Sequence, residues 1–478
     1  MRILLINPPR YNDVDYVREG RCMQPKSVWN NIWPPLTLNY IATVLKEKNA
    51  VKLIDYIAEQ GTYEDFEKDL KKFKPDMLII NNGIPSIKWD LKSAEIAKKL
   101  NKNIVTVTYG IFPTIATDET LNKYKIDFAI IGEPEITIKE LAEKVSKKES
   151  TTSVEGLAYK KGKKIITNSR RKLINDIDKE LGVPDRSMLP IERYTFPFDK
   201  KPFALLTLGR GCPYPCTFCV SPNYYGKKFR TRDPIKVVDE MEECYKDFGI
   251  SNFMFWGESF TLKKEYGMKI CDEILRRKLK FKWISTSRVD TLDMELLRKM
   301  KKSGCYLLGL GIETSNEEIL LNIKKKTKIK TINKAIKMCK KAGIKTMGHF
   351  IFGFPGETKK TAEKTIKFSK KCGVDYAQFY CAVPYPKTEF WDEVQKEGYI
   401  ETQNWDLYEQ NYSVVRTKHL STKEIMDFRS RAFKEFYFRP KKVFQHLKSI
   451  NSFKEFINTI AAGLEVLKWF RPKKTKNQ

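Results

Sequence analysis

The chain has 478 residues, enough for two or three domains, and its 41% hydrophobic and 12% aromatic content is typical of a globular protein. Its 89 lysines and arginines outnumber 59 acidic residues, giving a formal charge of +30. That excess is compatible with a nucleic acid, an anionic membrane surface or an acidic substrate, and equally with a lysine-rich thermophile composition that has no functional meaning. No apolar run reaches transmembrane length and the N-terminus begins with a strand pattern instead of a signal peptide, so we expect a cytoplasmic protein.

The first 148 residues alternate short apolar runs with amphipathic segments, which predicts a doubly wound, Rossmann-like parallel sheet. The predicted strands are Ile3–Asn7, Val51–Asp55, Met77–Asn81, Ile104–Thr108 and Phe128–Ile131. Ligands of such sheets bind at the C-terminal ends of the strands. The candidate binding residues there are Asn7, Pro8, Pro9, Asn82, Gly83, Gly110, Pro113, Gly132 and Glu133. Neither a P-loop nor a G-x-G-x-x-G motif is present, so nucleotide binding is poorly supported.

Residues 149–200 are polar and irregular and predict a small hairpin and a linker. Residues 201–398 alternate again, which predicts a partial (β/α)6 barrel with its chemistry at the C-terminal strand ends. Its predicted strands are Phe203–Leu208, Asn252–Trp256, Lys282–Ser285, Leu307–Gly311, Lys345–Phe352 and Tyr376–Ala382.

Residues 399–478 predict a helical region. Its last segment, Phe453–Phe470, interleaves aromatic and aliphatic residues with lysines. Such a helix is able to lie on a membrane surface, although more often it packs against its own protein.

Three cysteines with the spacing C-x-x-x-C-x-x-C follow the first barrel strand: Cys212, Cys216 and Cys219. Three thiolates on one tight loop are able to hold three irons of a 4Fe–4S cube, which usually takes four cysteines, so one iron stays open. A zinc knuckle is disfavoured because no second C-x-x-C pair exists in the chain. Buried structural cysteines are a further alternative. The other seven cysteines are scattered, and we expect reduced core thiols.

The R-G-C start, the cysteine spacing and the preceding strand resemble the radical S-adenosylmethionine (SAM) superfamily. The resemblance implies that the open iron binds the amino and carboxylate groups of SAM, and that reduction splits SAM to a 5′-deoxyadenosyl radical. The positions that match the superfamily's SAM-binding elements are Phe218, Gly257, Glu258, Arg288, Glu313, Phe354 and Pro355. One departure is Lys387, which stands where a P-Y-P-G-T element has glycine.

The first domain resembles the cobalamin-binding domain that precedes many radical SAM domains. The resemblance rests on the N-P-P start, the Pro34-Pro35-Leu36 helix entry, the glycine-proline loop at 110–113 and the I-G-E turn at 131–133. It implies that the nine strand-end residues above contact cobalamin. The three histidines, His349, His419 and His446, all lie outside this domain, so a bound cobalamin has no local histidine on its lower face. Alternatively, the domain has kept its fold and lost the cofactor.

Together the two resemblances imply a cobalamin-dependent radical SAM enzyme that methylates an unactivated carbon of a small-molecule or lipid substrate through methylcobalamin. They also imply a reductant such as ferredoxin or flavodoxin. A cobalamin-containing cyclase or rearrangement enzyme is the alternative. RNA modification is disfavoured because the first domain contains Cys22 but no second cysteine triad. A corrinoid carrier is disfavoured because the cysteine triad would have no purpose.

Overall fold

The computed structural model describes residues 1–11, 14–19, 32–196, 200–257 and 259–440. Glu258, Cys22 and residues 441–478 of the predicted helical region lie outside the described residues.

A seven-stranded sheet forms the first half of the chain, in the order β2-β1-β3-β4-β5-β6-β7. The first five strands are parallel, and β6 and β7 add an antiparallel hairpin at one edge. The strands are β1 (Arg2–Asn7), β2 (Ala50–Asp55), β3 (Met77–Asn81), β4 (Val105–Tyr109), β5 (Phe128–Ile130), β6 (Leu157–Lys161) and β7 (Lys164–Thr167). The predicted doubly wound sheet is confirmed, and the hairpin extends it.

Helices cover this sheet, as parallel strands require. They are α1 (Leu36–Lys46), α2 (Tyr63–Phe73), α3 (Ile87–Asp90), α4 (Lys92–Leu100), α5 (Ile111–Ile115), α6 (Thr117–Lys123), α7 (Glu135–Ser146) and α8 (Ile177–Leu181). The segment 110–113 was expected to be a loop, but helix α5 begins directly after Gly110. The sharp change of direction at Gly110, with φ +126°, allows the helix to start at once.

The second half contains a six-stranded, all-parallel sheet in the order β15-β14-β13-β12-β11-β8, which confirms the partial barrel. A small antiparallel pair, β9 with β10, lies beside it. The strands are β8 (Phe203–Thr207), β9 (Gly209–Arg210), β10 (Arg230–Thr231), β11 (Asn252–Trp256), β12 (Lys282–Arg288), β13 (Cys305–Glu313), β14 (Lys345–Phe352) and β15 (Tyr376–Cys381). Two strands are longer than predicted, since β12 extends to Arg288 and β13 to Glu313 through continued pairing with their neighbours.

Most helices of this half begin at a residue whose side chain caps the first turn. Helix α10, for example, has Asp233 as N-cap, Pro234 at its first position and Gly249 as a left-handed C-cap. The helices are α9 (Ser221–Tyr225), α10 (Pro234–Phe248), α11 (Lys264–Arg276), α12 (Met294–Lys302), α13 (Glu317–Asn322), α14 (Ile329–Ala342), α15 (Lys359–Lys371), α16 (Glu389–Lys396) and α17 (Thr422–Tyr437).

The two halves pack against each other. One continuous cluster of buried apolar side chains contains Leu5 of β1, Tyr40 of α1 and Leu206 of β8. Within the described part of the chain, every helix is too short or too polar to cross a bilayer.

Candidate cofactor sites

The three-cysteine loop follows β8 and β9 and is held by backbone contacts. Gly211 has φ +90°, and a Cβ there would lie 2.2 Å from the Lys228 carbonyl oxygen, so only glycine fits before Cys212. The backbone N–H of Cys212 donates to Gly226 and that of Thr217 donates to Ile323. The structure therefore positions the loop through backbone hydrogen bonds and a glycine where no side chain fits.

All three cysteines, Cys212, Cys216 and Cys219, are partly exposed, and none forms a disulfide with another described cysteine. Among residues whose placement is described, no three Cys, His, Asp or Glu side chains converge on a site for a single metal ion. Such convergence is not what a 4Fe–4S cube needs, because each cysteine ligates a separate iron. Three thiols on one loop, reachable from outside, fit a cluster of this kind.

Two cations lie near the loop. The Nη1 of Arg288 lies 3.8 Å from the Sγ of Cys216, and the Arg288 guanidinium lies 3.6 Å from the ring centre of Tyr214. Burial raises the pKa of the Cys216 thiol, whereas the charges of Lys325 and Arg288 act in the opposite direction. The cations thus favour the thiolate form that iron binds.

The other predicted SAM residues lie around the same opening of the barrel. Arg288 pairs with Asp290 and donates to the Lys325 carbonyl, and the carboxylate of Glu313 pairs with the buried ammonium of Lys325. Glu313 has φ +64°, a left-handed conformation that costs a non-glycine residue energy.

An apolar shelf completes this end of the barrel. The rings of Phe218 and Phe354 lie 5.1 Å apart between centroids, and Pro355 follows Phe354 at the end of β14. Gly257 directly follows β11 with φ +114°. Glu258 lies outside the described residues, so its predicted contact is not placed.

At the C-terminal edge of the first sheet, Asn7 and the two prolines surround a buried ion pair. Arg18 binds Asp90 and donates to the Asn7 side chain and the Pro8 carbonyl. Asp90 also accepts from the backbone N–H of Gly83. The N-P-P turn is thereby tied to the turn after β3.

Two buried polar atoms at this edge have no hydrogen-bond partner within the described ranges: the Asn82 Oδ1 and the Tyr109 Oη. A Cβ at Gly110 would lie 3.5 Å from the Asn82 Oδ1. Pro113 lies in α5, and Gly132 follows β5 with φ +84°. Unsatisfied buried polar atoms beside glycine backbone fit a polar ligand that approaches closely.

Unlike Asn82, Glu133 has hydrogen-bond and ionic partners for its side-chain oxygens within the protein. Its carboxylate binds the guanidinium groups of Arg210 and Arg230 and accepts from the backbone N–H of Ile174. Both of its oxygens are thus engaged within the protein.

A pocket lies between the two halves, at the base of the cysteine loop. Its lining includes Glu19, Thr37, Tyr40, Arg210, Trp256 and Gly257. Glu19 accepts from the backbone N–H and the hydroxyl of Thr37, and burial raises the pKa of its carboxyl to about 7. This pocket has contributions from helix α1 and from the barrel edge.

The sequence reasoning missed Arg18, Glu19, Tyr109, Arg210 and Lys325. Lys325 stands within three consecutive lysines, a pattern typical of a solvated surface, and yet it is buried. Arg210 lies on β9 and is part of the R-G-C motif, so its position directly before the cysteine loop was the signal that could have found it. Lys387, the departure from glycine, has φ +64° and donates from its Nζ to the Thr114 carbonyl of the first half. Its side chain therefore joins the two halves, although its backbone conformation favours glycine.

This fold and these two strand edges define a two-domain enzyme with a B12-binding domain and a radical SAM domain. Residues 27–142 match the B12 binding domain and residues 206–369 match the radical SAM superfamily. The chain belongs to the cobalamin-binding radical SAM family. The radical SAM domain implies a 4Fe–4S cluster and SAM, and the B12-binding domain implies cobalamin; the cysteine loop and the unsatisfied polar atoms described above fit these groups.

Similar proteins agree with this assignment. An uncharacterised methyltransferase of Pyrococcus horikoshii is 34% identical over 93% of this chain and 95% of its own length. An anaerobic magnesium-protoporphyrin IX monomethyl ester cyclase of Cereibacter sphaeroides is 27% identical over 85% of this chain and 67% of its own length. The solved structure of the radical SAM methyltransferase TsrM from Kitasatospora setae, with cobalamin and a 4Fe–4S cluster bound, superposes with a TM-score of 0.69 at 17% identity. The superposition covers 92% of this chain and 86% of the TsrM chain, which shows the shared fold.

Proposed function

We propose that this enzyme is a methyltransferase that uses a 4Fe–4S cluster, SAM and cobalamin to methylate an unactivated carbon of a small molecule or lipid. The observation that carries the proposal is the position of the cysteine loop. Cys212, Cys216 and Cys219 follow β9, and Arg210 of that strand contacts Glu133 in the turn that follows β5 of the B12-binding domain. The similarity to the methyltransferase of Pyrococcus horikoshii supports the same conclusion.

The side chains around the loop have definable tasks in this proposal. The three cysteines hold the cluster, Arg288 and Glu313 bind the charged groups of SAM, and Phe218, Phe354 and Pro355 receive its adenine. When bound, the reduced cluster supplies the electron that cleaves SAM, and cobalamin supplies the methyl group. The reductant belongs to the class of ferredoxins or flavodoxins.

In the first domain, neutral groups hold the corrin in this proposal. Asn82 and the backbone at Gly83, Gly110 and Gly132 approach it, with Asn7, Pro8, Pro9 and Pro113 shaping the edge. The domain limits remain predictions: 1–148 for this domain, 201–398 for the barrel, and 399–478 for the C-terminal region.

The pocket between the domains lies beside both cofactor edges, and its volume of about 20 Å³ suits a water molecule, not a substrate. It borders the cysteine loop through Arg210 and the predicted SAM contact through Gly257. Thr37 and Tyr40 of helix α1 line one side of it. The Tyr40 hydroxyl is buried and has no hydrogen-bond partner in the portion of the chain described here. A water molecule in this pocket would satisfy that hydroxyl.

A cyclase function is the second candidate, favoured by the similarity to the magnesium-protoporphyrin ester cyclase. Anaerobic reconstitution with iron, sulfide and hydroxocobalamin, followed by desalting, tests the shared part of both proposals. About four irons and one cobalamin per chain are expected. Loss of cobalamin on desalting would contradict both.

SAM labelled in its methyl group then separates the two candidates. In anaerobic cell extract, label transferred to an extract component supports the methyltransferase. Substrate-dependent release of 5′-deoxyadenosine without label transfer supports the cyclase.

A further inference from the structure

Four buried charged residues join the two halves of the molecule: Glu133, Glu135, Arg210 and Arg230. We call them the interdomain bridge. Glu133 and Glu135 lie at the turn after β5 and at the start of α7, whereas Arg210 and Arg230 lie on the paired strands β9 and β10. The bridge therefore connects the predicted cobalamin edge with the strand that leads directly into the cysteine loop.

Both arginines bind their carboxylate partners through two nitrogens. The Arg210 Nη2 lies 2.5 Å from the Glu135 Oε1, and its Nη1 lies 3.1 Å from the Oε2. The Arg230 Nη2 lies 2.9 Å from the Glu133 Oε1, and its Nη1 lies 3.0 Å from the Oε2. The Arg210 Nη1 also contacts Glu133 at 3.4 Å, so the two pairs form one network.

The bridge is almost fully shielded from water. The side chains of Arg210 and Glu135 are 5% and 0% exposed, and those of Arg230 and Glu133 are each 4% exposed. Buried ion pairs of this kind contribute little net stability, because removing charges from water costs about as much as their attraction returns. Bidentate arginine–carboxylate pairs do, however, fix the distance and angle between the groups that carry them.

The glycines next to Arg210 make this geometry stiff. A Cβ at Gly209 would lie 2.3 Å from the Arg230 carbonyl oxygen, and one at Gly211 would lie 2.2 Å from the Lys228 carbonyl oxygen. The backbone on either side of Arg210 is therefore in close contact with the β10 segment. Cys212 follows Arg210 by two residues, so a shift of Arg210 moves the first cluster ligand with it.

We propose that Arg210 is a positioning residue, which sets the place of the cysteine loop relative to the cobalamin edge through its pair with Glu135. This inference rests on the proposed function, because it needs both cofactors to be bound. It extends that function by assigning the distance between the cofactors to a particular side-chain contact.

The test uses the full chain reconstituted with iron, sulfide and hydroxocobalamin. Three variants are compared with the wild type: Arg210→Lys, Arg210→Gln and Glu135→Gln. Arg210→Lys keeps the positive charge but loses the two parallel hydrogen bonds. It therefore still tests the inference if the neutral variants do not fold. The matched control is Arg186→Gln, because Arg186 forms an equally buried pair with Glu240 of α10 that contacts neither the cysteine loop nor the turn after β5.

The first readout is the magnetic coupling between the reduced cluster and cob(II)alamin by electron paramagnetic resonance. The second is the ratio of S-adenosylhomocysteine, left when SAM gives up its methyl group to the corrin, to 5′-deoxyadenosine, left when SAM is cleaved. Titanium(III) citrate is the electron donor for both products. The coupling reports geometry and does not depend on turnover.

We expect the Arg210 and Glu135 variants to retain iron and cobalamin, to show an altered or broadened coupling, and to change the product ratio by up to about 100-fold, the effect of a misplacement of about 1 Å. Arg186→Gln should keep the wild-type coupling and ratio. A wild-type coupling in Arg210→Lys and Glu135→Gln would overturn the inference while leaving the proposed function intact. Absence of cobalamin from the reconstituted wild type would overturn both.

Discussion

The two strand edges of this molecule bear different chemistry. At the edge of the first sheet, the two buried groups without a hydrogen-bond partner among the described residues are neutral: the amide oxygen of Asn82 and the phenol of Tyr109. The buried charges of Arg18 and Asp90 neutralise each other. At the barrel edge, Arg288 and Lys325 stand close to Cys216. A charged ligand such as SAM needs ionic partners, whereas a large ligand of mixed polarity is held by shape and neutral hydrogen bonds. Each edge is therefore suited to a different kind of cofactor.

The largest difference between the two edges is expected when a cysteine of the loop is replaced. We expect Cys216→Ala to reduce the iron content to background and to abolish 5′-deoxyadenosine formation, because the cluster loses one of three ligands. Cobalamin retention should be unchanged, since the other edge is intact. Iron, sulfide and corrinoid analyses measure both effects. Cys271→Ala, at a buried thiol of α11, is the control and should keep its iron; equal iron in both variants would contradict the assignment.

Removing one charge from the barrel edge should destabilise the protein strongly. In Lys325→Met the Glu313 carboxylate stays buried without its ammonium partner, and we expect a loss of about 3–5 kcal/mol in the free energy of unfolding. Urea denaturation measures this loss. Lys324→Met, at the neighbouring exposed lysine paired with Glu389, should cost at most about 1 kcal/mol. Similar losses in both variants would show that the Glu313–Lys325 pair is not special.

One carboxyl at the barrel edge, that of Glu357, is neutral in the folded protein, like the unsatisfied groups of the first sheet. Burial raises the pKa of Glu357 to about 8, and its Oε1 has no hydrogen-bond partner among the residues described. The native protein thus keeps this proton above pH 4.5, where the unfolded chain releases it, so its contribution to stability falls as the pH rises from 4.5 to 8.

Glu357→Gln should remove that pH dependence. Relative to the variant, the wild type should lose about 3 kcal/mol between pH 5.5 and 7.5, at about 1.4 kcal/mol for each pH unit. Thermal or urea unfolding at a series of pH values measures the difference between the two proteins. Parallel pH profiles for the wild type and the variant would mean that Glu357 is ionised in the native state.

The smallest effect is expected at the first edge. Gly110→Ala places a side chain where φ is +126° and beside the Asn82 oxygen, which should cost about 1–3 kcal/mol and reduce cobalamin retention without changing the iron content. Gly162→Ala, also at positive φ but in the open turn of the β6–β7 hairpin, is the matched control. Corrinoid retained after desalting is the measurement, and equal retention in both variants would remove Gly110 from the proposed cobalamin site.

Much of the fold follows from local patterns. The strands Met77–Asn81, Asn252–Trp256 and Lys345–Phe352 have the bounds predicted from their apolar runs. These runs are buried on both faces, which leaves a clear signal in the sequence. The end of β13 was less predictable, because Glu313 is polar and belongs to the strand only through its register with β14.

The amino-acid sequence alone was sufficient to predict both parallel sheets and to locate the cysteine loop, because spacing along the chain and periodicity are local properties. The resemblance to known families then supplied the two domain types. The partners of the buried charges required the folded structure. Glu135 and Arg210 are 75 residues apart, and Lys325 resembles its exposed neighbours until the barrel encloses it. Charges of either sign are tolerated at many surface positions, so the choice of a buried partner depends on how the two domains pack. Tertiary structure therefore decides which of the many charged residues join the two cofactor edges.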